Sequence, residues 1–315
     1  MSSWQELPEQ LRERLMAIVP EDKHEQVQSA LLTGRPTTLR VNRLLAEVAP
    51  VVAALESDGF QLEPVPWYPE AFILRSKTIG ELTEHPIYTA GKIYVQGLSS
   101  MVPVLAMQPQ PGDQVLDVAA APGSKTTQMA VKMGNEGTII ANDISRIRLY
   151  KLAANLKMQG VTNVQTFQGQ GHDLWRKLAP IFDKALVDVP CSMEGRIRVD
   201  RLKTYDRWSH KKIKELAQRQ KGLLRSAITL TKPGGVIVYS TCTLAPEENE
   251  GVIDEIVRRL PNQVAVEPID IPGLELDAPL SAWQNQTYDP SVSHSRRIFP
   301  SATMEGFFVA KLRRL

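Results

Sequence analysis

The sequence predicts an α/β fold, a doubly wound and mostly parallel sheet, with a small α+β unit ahead of it. Three observations predict it. Beyond residue 90, short apolar runs alternate with longer stretches of helical spacing. The first run leads into small residues and a glycine, Ala119-Ala120-Ala121-Pro122-Gly123-Ser124, just before a helix pattern. Two later runs, Ala185-Leu186-Val187-Asp188-Val189-Pro190-Cys191 and Val236-Ile237-Val238-Tyr239-Ser240-Thr241-Cys242, end in the only two cysteines of the chain.

In chain order, residues 1 to about 30 carry helical spacing with many charges, and Thr37-Thr38-Leu39-Arg40-Val41-Asn42 reads as a strand. A helix pattern over 48–55 stops at Asp58-Gly59, and Phe72-Ile73-Leu74 is a short strand among prolines. These make an N-terminal domain, 1–90, helical at its start and then α+β. Residues 99–107 read as a helix and Pro109-Gln110-Pro111-Gly112-Asp113 as a turn. In the second domain, 91–315, strands are expected at 114–118, 138–142, 164–167, 185–189 and 235–240, and helices near 125–132, 146–159, 213–231 and 247–260. Residues 306–312 read as a final strand.

With 315 residues and 43% hydrophobic content the chain can bury a full core. Two cysteines are no disulfide framework, and neither a Cys-x-x-Cys pair nor a zinc-like Cys/His spacing occurs, so a reducing compartment and no metal are expected. Met1-Ser2-Ser3-Trp4-Gln5-Glu6 lacks the basic and apolar regions of a signal peptide. No apolar run approaches the ~18 residues of a membrane span. The expectation is a soluble, cytoplasmic protein without a membrane partner and, lacking any oligomerisation signal, a monomer. Net charge is only +2, so a nucleic-acid footprint has to come from local clustering.

Small residues and a glycine between a strand and a helix let the backbone approach a ligand closely. The N–H groups at the helix start suit a carboxylate or phosphate. About twenty residues past Gly123 the next strand ends in Asn142-Asp143, where an acidic side chain can hold a ribose diol. The combination indicates an adenosine-type cofactor. The loop is neither Gly-x-Gly-x-x-Gly nor a Gly-Lys-Ser/Thr phosphate loop, which disfavours a nicotinamide or a nucleoside triphosphate. Either cysteine alone reads as a small buried hydrophobe. Two thiols at one edge of a parallel sheet, one beside a carboxylate, suit addition of a thiolate to an electron-poor ring carbon, with later loss of a proton to a second base.

The run from Asp117 to Thr127, Asn142-Asp143, Asp188-Val189-Pro190-Cys191-Ser192, and Tyr239-Ser240-Thr241-Cys242-Thr243 followed by Glu247-Glu248-Asn249-Glu250 resemble successive motifs of the Sun (Fmu) family of S-adenosylmethionine-dependent RNA cytosine-5 methyltransferases. The likeness extends upstream through Leu39-Arg40-Val41-Asn42 and residues 91–96, and downstream to 306–312, so it covers most of the chain. It implies a Rossmann-like methyltransferase domain with a small RNA-recognition-like unit before it. The cofactor segment then corresponds to Ala119, Ala120, Ala121, Pro122, Gly123, Ser124 and Lys125, the ribose contact to Asp143, and further cofactor contacts to Arg148 and Asp188. Where family members usually carry an aspartate near the adenine, this chain has Gln170, whose amide can accept a bond from the adenine amino group.

Carbon 5 of cytosine is too weak a nucleophile to attack a sulfonium methyl until a thiolate adds at carbon 6. Asp188 is the candidate acid supporting the ring nitrogen, provided its surroundings keep a proton available. Both cysteines sit at strand ends, so spacing does not say which one attacks; the resemblance implies attack by Cys242 and release by Cys191. Lys125 either lowers a thiol pKa or binds the base, or holds the loop by capping a carbonyl.

Between the cysteines, residues 194–225 hold eleven lysines and arginines, from Arg196 and Arg198 to Lys211, Lys212 and Arg225, against four acids. Tyr205 and Trp208 lie among them, as expected where phosphates are held and an unstacked base meets an aromatic ring. Arg40, Arg43, Arg296 and Arg297 are candidates to extend this surface. The expected partner is therefore structured RNA, from which the target base is extruded. The stretch from Pro64 to Phe72 is similar to bacterial ribosomal-RNA members and favours 16S-type rRNA over tRNA. An amino-group methyltransferase would not need the thiols, and a non-catalytic RNA-binding assembly factor would not need to keep both.

Overall fold

The computed structural model describes residues 3–315; Met1 and Ser2, the start of the segment searched for a leader, lie outside the described residues. Helices α1 (Glu9–Ile18) and α2 (His24–Leu32) come first. Leu11, Leu15 and Ile18 recur at helical spacing and are buried. They pack, with Val27 and Leu31 of α2, against Ile197, Val199, Tyr205, Leu244 and Phe299. The charged N-terminal helices thus lean on loops from the second half of the chain and not on the small sheet that follows them.

That sheet is built from β1 (Thr38–Val41), α3 (Val48–Ser57), β2 (Leu62–Pro64), β3 (Ala71–Leu74), α4 (Ile79–Glu84), α5 (Pro86–Thr89) and β4 (Ile93–Val95). Its strand order is β2-β3-β1-β4, all antiparallel. Leu39, Val41, Val51, Leu55, Phe72, Leu74 and Ile93 form its core. Because β4 pairs with β1, the first sheet continues to Val95, past the division read at residue 90.

After α6 (Leu98–Met107), the chain alternates through β5 (Gln114–Asp117), α7 (Ser124–Lys132), β6 (Thr138–Asp143), α8 (Arg146–Met158), β7 (Val164–Gln168), β8 (Phe182–Asp188), α9 (His210–Leu230), β9 (Thr231–Thr241), α10 (Glu250–Arg259) and β10 (Val264–Glu267). A small hairpin, β11 (Ala282–Trp283) and β12 (Gln286–Thr287), precedes β13 (Arg296–Ile298) and β14 (Phe307–Arg314). The large sheet has the order β10-β14-β9-β8-β5-β6-β7, with β13 also on β14. Neighbours from β7 through β9 are parallel. The final strand β14 runs antiparallel between β9 and β10, a reversal that periodicity does not reveal.

Both faces of the parallel part are covered, so its strands read as continuous apolar runs. Leu116, Val187, Ile237 and Phe308 face a core shared with α9 and α10, and Val115, Leu186, Val238 and Val309 face α6 and α7. The chain leaves β5 for β6 and β7 on one side and returns to β8 and β9 on the other. In such sheets the crevice lies at the strand carboxyl ends where the order reverses, here between β5 and β8.

Candidate active site

The carboxyl ends of β8 and β9 lie side by side, Asp188 registering with Ser240. This register brings the residues beyond the two strand ends together: Cys191 Sγ and Cys242 Sγ are 3.3 Å apart, both thiols free and half-buried. The hydrogen bond to Cys242 and then burial push the Cys191 thiol well above its ordinary value. The two sulfurs are thus within hydrogen-bond reach of each other, and either can be the donor.

The Asp188 carboxylate accepts from Ser240 Oγ at 2.8 Å through one oxygen and from Lys125 Nζ at 2.6 Å through the other. Lys125 Nζ also donates to Ser100 Oγ at 2.9 Å and lies 5.6 Å above the Phe307 ring centre. Its partners are thus a carboxylate and a hydroxyl, not the backbone carbonyl considered from the sequence. Asp188 is an ion-paired carboxylate with 30% side-chain exposure, not an acid isolated in an apolar pocket.

Ala119, Ala121, Pro122, Ser124, Lys125, Arg148, Asp188 and Cys242 line one cavity of about 410 Å³, with Gln96, Ser100 and Phe307 among its other walls. Gly123 has φ +107°, and a Cβ there would meet Leu152 Cδ1 at 2.6 Å, so this turn requires glycine. Ala120 is buried behind the cavity wall and donates its N–H to Asn142 O at 2.7 Å. Asp143 is 2% exposed; Oδ1 accepts from Ser145 N, while Oδ2 lies 3.1 Å from Arg148 Nη1 without a hydrogen bond. The Arg148 guanidinium also donates to Ala121 O. A buried carboxylate oxygen that accepts no hydrogen bond suits a ligand that brings donors of its own, such as a ribose diol, and Asn142 Oδ1 is likewise buried without one. Gln170 is not part of this constellation: it is exposed, does not line the cavity and precedes a short 3₁₀ turn.

Around the thiols the structure gives the motif residues Glu248 and Asn249 their partners and adds Gln220, which motif reading passes over. Gln220 Nε2 of α9 donates to Pro190 O at 3.0 Å and to Glu248 Oε2 at 2.7 Å, and Glu248 Oε2 accepts from Ser192 N at 3.0 Å. The two side chains clamp the peptide units on either side of Cys191. Tyr239 OH donates to Glu248 O at 2.5 Å, and Asn249 accepts from Thr241 Oγ1 at 2.6 Å while donating to Thr243 O at 3.0 Å, which fixes the turn carrying Cys242. Burial pushes the Glu248 carboxyl up to about 7 against the hydrogen bonds from Ser192 and Gln220. The cluster of polar residues Glu247 to Glu250, directly after a cysteine strand, is the signal that could have found this clamp. Next to Arg196 and Glu305 two backbones meet closely: Gly306 N donates to Gly195 O at 2.9 Å, and a Cβ on Gly195 would lie 2.0 Å from Gly306 O.

The basic segment is part surface and part scaffold. Lys211, Lys212, Arg201 and Lys203 are exposed. Tyr205 is buried and donates to Val199 O, and half-buried Trp208 donates to Glu194 Oε1 at 2.8 Å, so both aromatics belong to the core beneath α1 and do not offer a stacking face. Arg40 and Arg297 are fully buried and do not extend an RNA surface. Arg297 grips Glu250 through two bonds of 2.6 and 2.5 Å. Arg40 reaches from the small sheet to Thr127 Oγ1 at 2.7 Å, tying the N-terminal unit to α7. Arg43 pairs with Glu47, and Arg296 donates to Ser293 O and Ser295 O. Among the described residues no helix is long and apolar enough to cross a membrane, and no group of three or more histidine, cysteine or acidic side chains is placed to hold a metal.

The fold and the cavity at its strand ends define a Rossmann-like methyltransferase, and comparison with known proteins gives the same class. Residues 104–313 match the family described as 16S rRNA methyltransferase RsmB/F, and residues 7–97 match the N-terminal domain of 16S rRNA methyltransferase RsmF. The chain belongs to this RsmB/F branch of the Sun family. A tRNA (cytosine(49)-C(5))-methyltransferase of Pyrococcus abyssi is 38% identical over 297 residues, 93% of both chains. A ribosomal RNA small subunit methyltransferase F of Aeromonas hydrophila is also 38% identical over 98% of this chain, but the chain spans only 64% of that relative's length. Among solved structures, a methyltransferase homolog protein of Pyrococcus horikoshii superposes with a TM-score of 0.82 at 32% identity, over 98% of this chain and 100% of the other.

Proposed function

We propose that this protein methylates carbon 5 of a cytosine in structured RNA, with small-subunit rRNA as the substrate, through a covalent bond between Cys242 and carbon 6. The observation that carries this reading is the pair of thiols 3.3 Å apart beside the Asp188–Lys125 ion pair. Cys242 adds to the ring as a thiolate, with the Cys191 sulfur 3.3 Å away and within hydrogen-bond reach of it. Lys125, through or beside Asp188, supplies positive charge and a proton where the ring nitrogen gains electrons. S-adenosylmethionine supplies the methyl group. The chain would hold it along Ala119–Ser124, with Asp143 toward the ribose hydroxyls, consistent with the orphaned oxygen there. Once Cys242 is bonded to carbon 6 its sulfur carries no charge, and Cys191, its own proton released to solvent, accepts the carbon 5 proton directly or through a water; the carbon 6–sulfur bond then breaks and the Cys242 thiolate leaves. The clamp of Gln220 and Glu248 holds Cys191 for that step.

The preference for rRNA is supported by both family matches, and the archaeal relative covering 93% of both chains supports tRNA as the second reading. Purified protein incubated with labelled S-adenosylmethionine and either 16S rRNA or bulk tRNA, followed by mass analysis of nucleosides, tests both. 5-Methylcytidine in the rRNA arm is expected, and bisulfite mapping then gives the position. Product only in the tRNA arm exchanges the substrates; a methylated exocyclic amine, or no product in either arm, overturns the reading.

A further inference from the structure

A second cavity adjoins the cysteine cavity, and we propose that it seats a backbone phosphate of the RNA next to the target nucleotide. This rests on the RNA-methylation reading above. The cavity measures about 390 Å³ and is lined by Arg35, Arg196, Arg198, Arg201 and Lys203 with a single acid, Glu305. Arg196 and Glu305 line both cavities, so the two are adjacent, and a strand whose base enters toward Cys242 carries its neighbouring phosphates across the arginine side.

The charge in this cavity is not balanced by the protein. Glu305 pairs with Arg196 at 3.2 Å, and Asp200 occupies Arg198 at 2.6 Å. Arg35, Arg201 and Lys203 make no ion pair among the described residues. Arg35, from the link between α2 and β1, donates Nε to Met304 O at 2.9 Å and to Ser301 O at 3.3 Å, which fixes the guanidinium. Its Nη2 is buried with no partner. Burial, with the charges of Arg198 and Arg196 adding to it and Glu305 opposing, holds this guanidinium below its ordinary pKa. Gly34 keeps space for the site: a Cβ there would lie 3.1 Å from Arg198 Nη1, so the missing side chain lets the Arg198 guanidinium lie against the backbone. An unmatched set of cations, two of them planar guanidinium groups and one with a spare buried donor, is chemistry for a phosphodiester, whose oxygens accept paired N–H groups. Arg35 is distant in sequence from the basic segment, which is why charge clustering along the chain does not find it.

The double variant Arg201→Met/Lys203→Met removes two exposed, unpaired cations, and Arg35→Met removes the buried donor. Each is compared with the unaltered protein in binding and methylating the RNA that it modifies, over a range of salt, with inorganic phosphate as a competitor against chloride of equal ionic strength. The expected result is a rise of about tenfold or more in the Kd and KM for RNA, unchanged kcat and unchanged S-adenosylmethionine affinity, and a salt slope shallower by about one for each phosphate that no longer meets a cation. Should Arg35→Met fail to fold, the double variant decides. Undiminished affinity and slope in the double variant, with methylation intact, overturn the phosphate seat and leave the methylation reading standing. A fall in kcat with KM unchanged also overturns it. Phosphate competition that the variants abolish without a change in RNA slope makes the site one for free phosphate and overturns the RNA assignment. Absence of 5-methylcytidine with the unaltered protein removes both proposals together.

Discussion

The two sides of the crevice are built on opposite terms. At the ends of β8 and β9, Glu248, Gln220, Ser192, Thr243 and Asn249 are all engaged in hydrogen bonds to one another or to the backbone. At the ends of β5 and β6, the wall is largely alanine and proline, Asn142 Oδ1 is buried without a hydrogen bond, and Asp143 Oδ2 accepts none either, although Arg148 Nη1 lies 3.1 Å from it. A buried polar group left unpaired costs about 1–3 kcal/mol. The thiol side has its geometry set in advance, whereas the cofactor side holds unmet acceptors that a bound ligand would satisfy. Substitutions on the first side should therefore disturb chemistry, and those on the second should disturb ligand affinity.

The largest effect distinguishes the two sulfurs. Cys242→Ala should abolish both methylation and any covalent protein–RNA adduct. Cys191→Ala should still attack and transfer methyl but release slowly, so a nuclease-sensitive shifted band should accumulate on a denaturing gel when RNA and S-adenosylmethionine are both present. An adduct with the Cys242 variant and none with the Cys191 variant would reverse the roles. Full methylation by both would return the cysteines to the core.

The clamp comes next. Glu248→Ala should lower kcat with S-adenosylmethionine affinity retained, because it frees the peptide at Ser192 and not the cofactor wall. Glu248→Gln reads its titration. Burial raises this carboxyl from about 4.3 in an unfolded chain to about 7 in the fold. The native state therefore binds the proton more tightly, and the stability this contributes is full below about pH 4.3 and is lost as pH rises through about 7. The glutamine variant should lack that decline, at most about 1.4 kcal/mol per pH unit. Denaturant unfolding at pH 5 and pH 8 checks it; an unchanged difference between the two pH values would place the titration elsewhere.

On the cofactor side, Asp143→Ala should weaken S-adenosylmethionine binding by about 1.5–3 kcal/mol in calorimetry while RNA affinity persists. Equal affinity would remove Asp143 from the site. The smallest effect is expected from Gln170→Ala, a change within about 0.5 kcal/mol, since the side chain is exposed and off the cavity. A loss comparable with that of Asp143→Ala would show that Gln170 folds over the bound cofactor.

Much of the site was legible because its determinants are local. Apolar runs followed by Ala-Pro-Gly, Asn-Asp and Pro-Cys place ligand and thiol positions at strand ends, and the alternation of periods places those strands in a parallel sheet. Arg40 and Arg297 show where such reading stops: by type they are surface cations, and only the buried partners Thr127 and Glu250 make them structural. Tyr205 and Trp208 sit among lysines in sequence yet pack under α1, because burial is set by what folds over a segment.

The sequence by itself determined the α/β alternation, the glycine that the turn after β5 needs at Gly123, and the chemical types gathered at the strand ends, since each follows from backbone geometry or from side-chain chemistry within a few residues. Only the tertiary structure decided that β14 runs antiparallel, that Lys125 pairs with Asp188, that Gln220 and Glu248 hold the Cys191 loop, and that Arg35 and Arg198 line one cavity. Those are contacts between residues tens to hundreds of positions apart in the chain. Strand register and loop packing create them, and neither leaves a periodic trace in the chain.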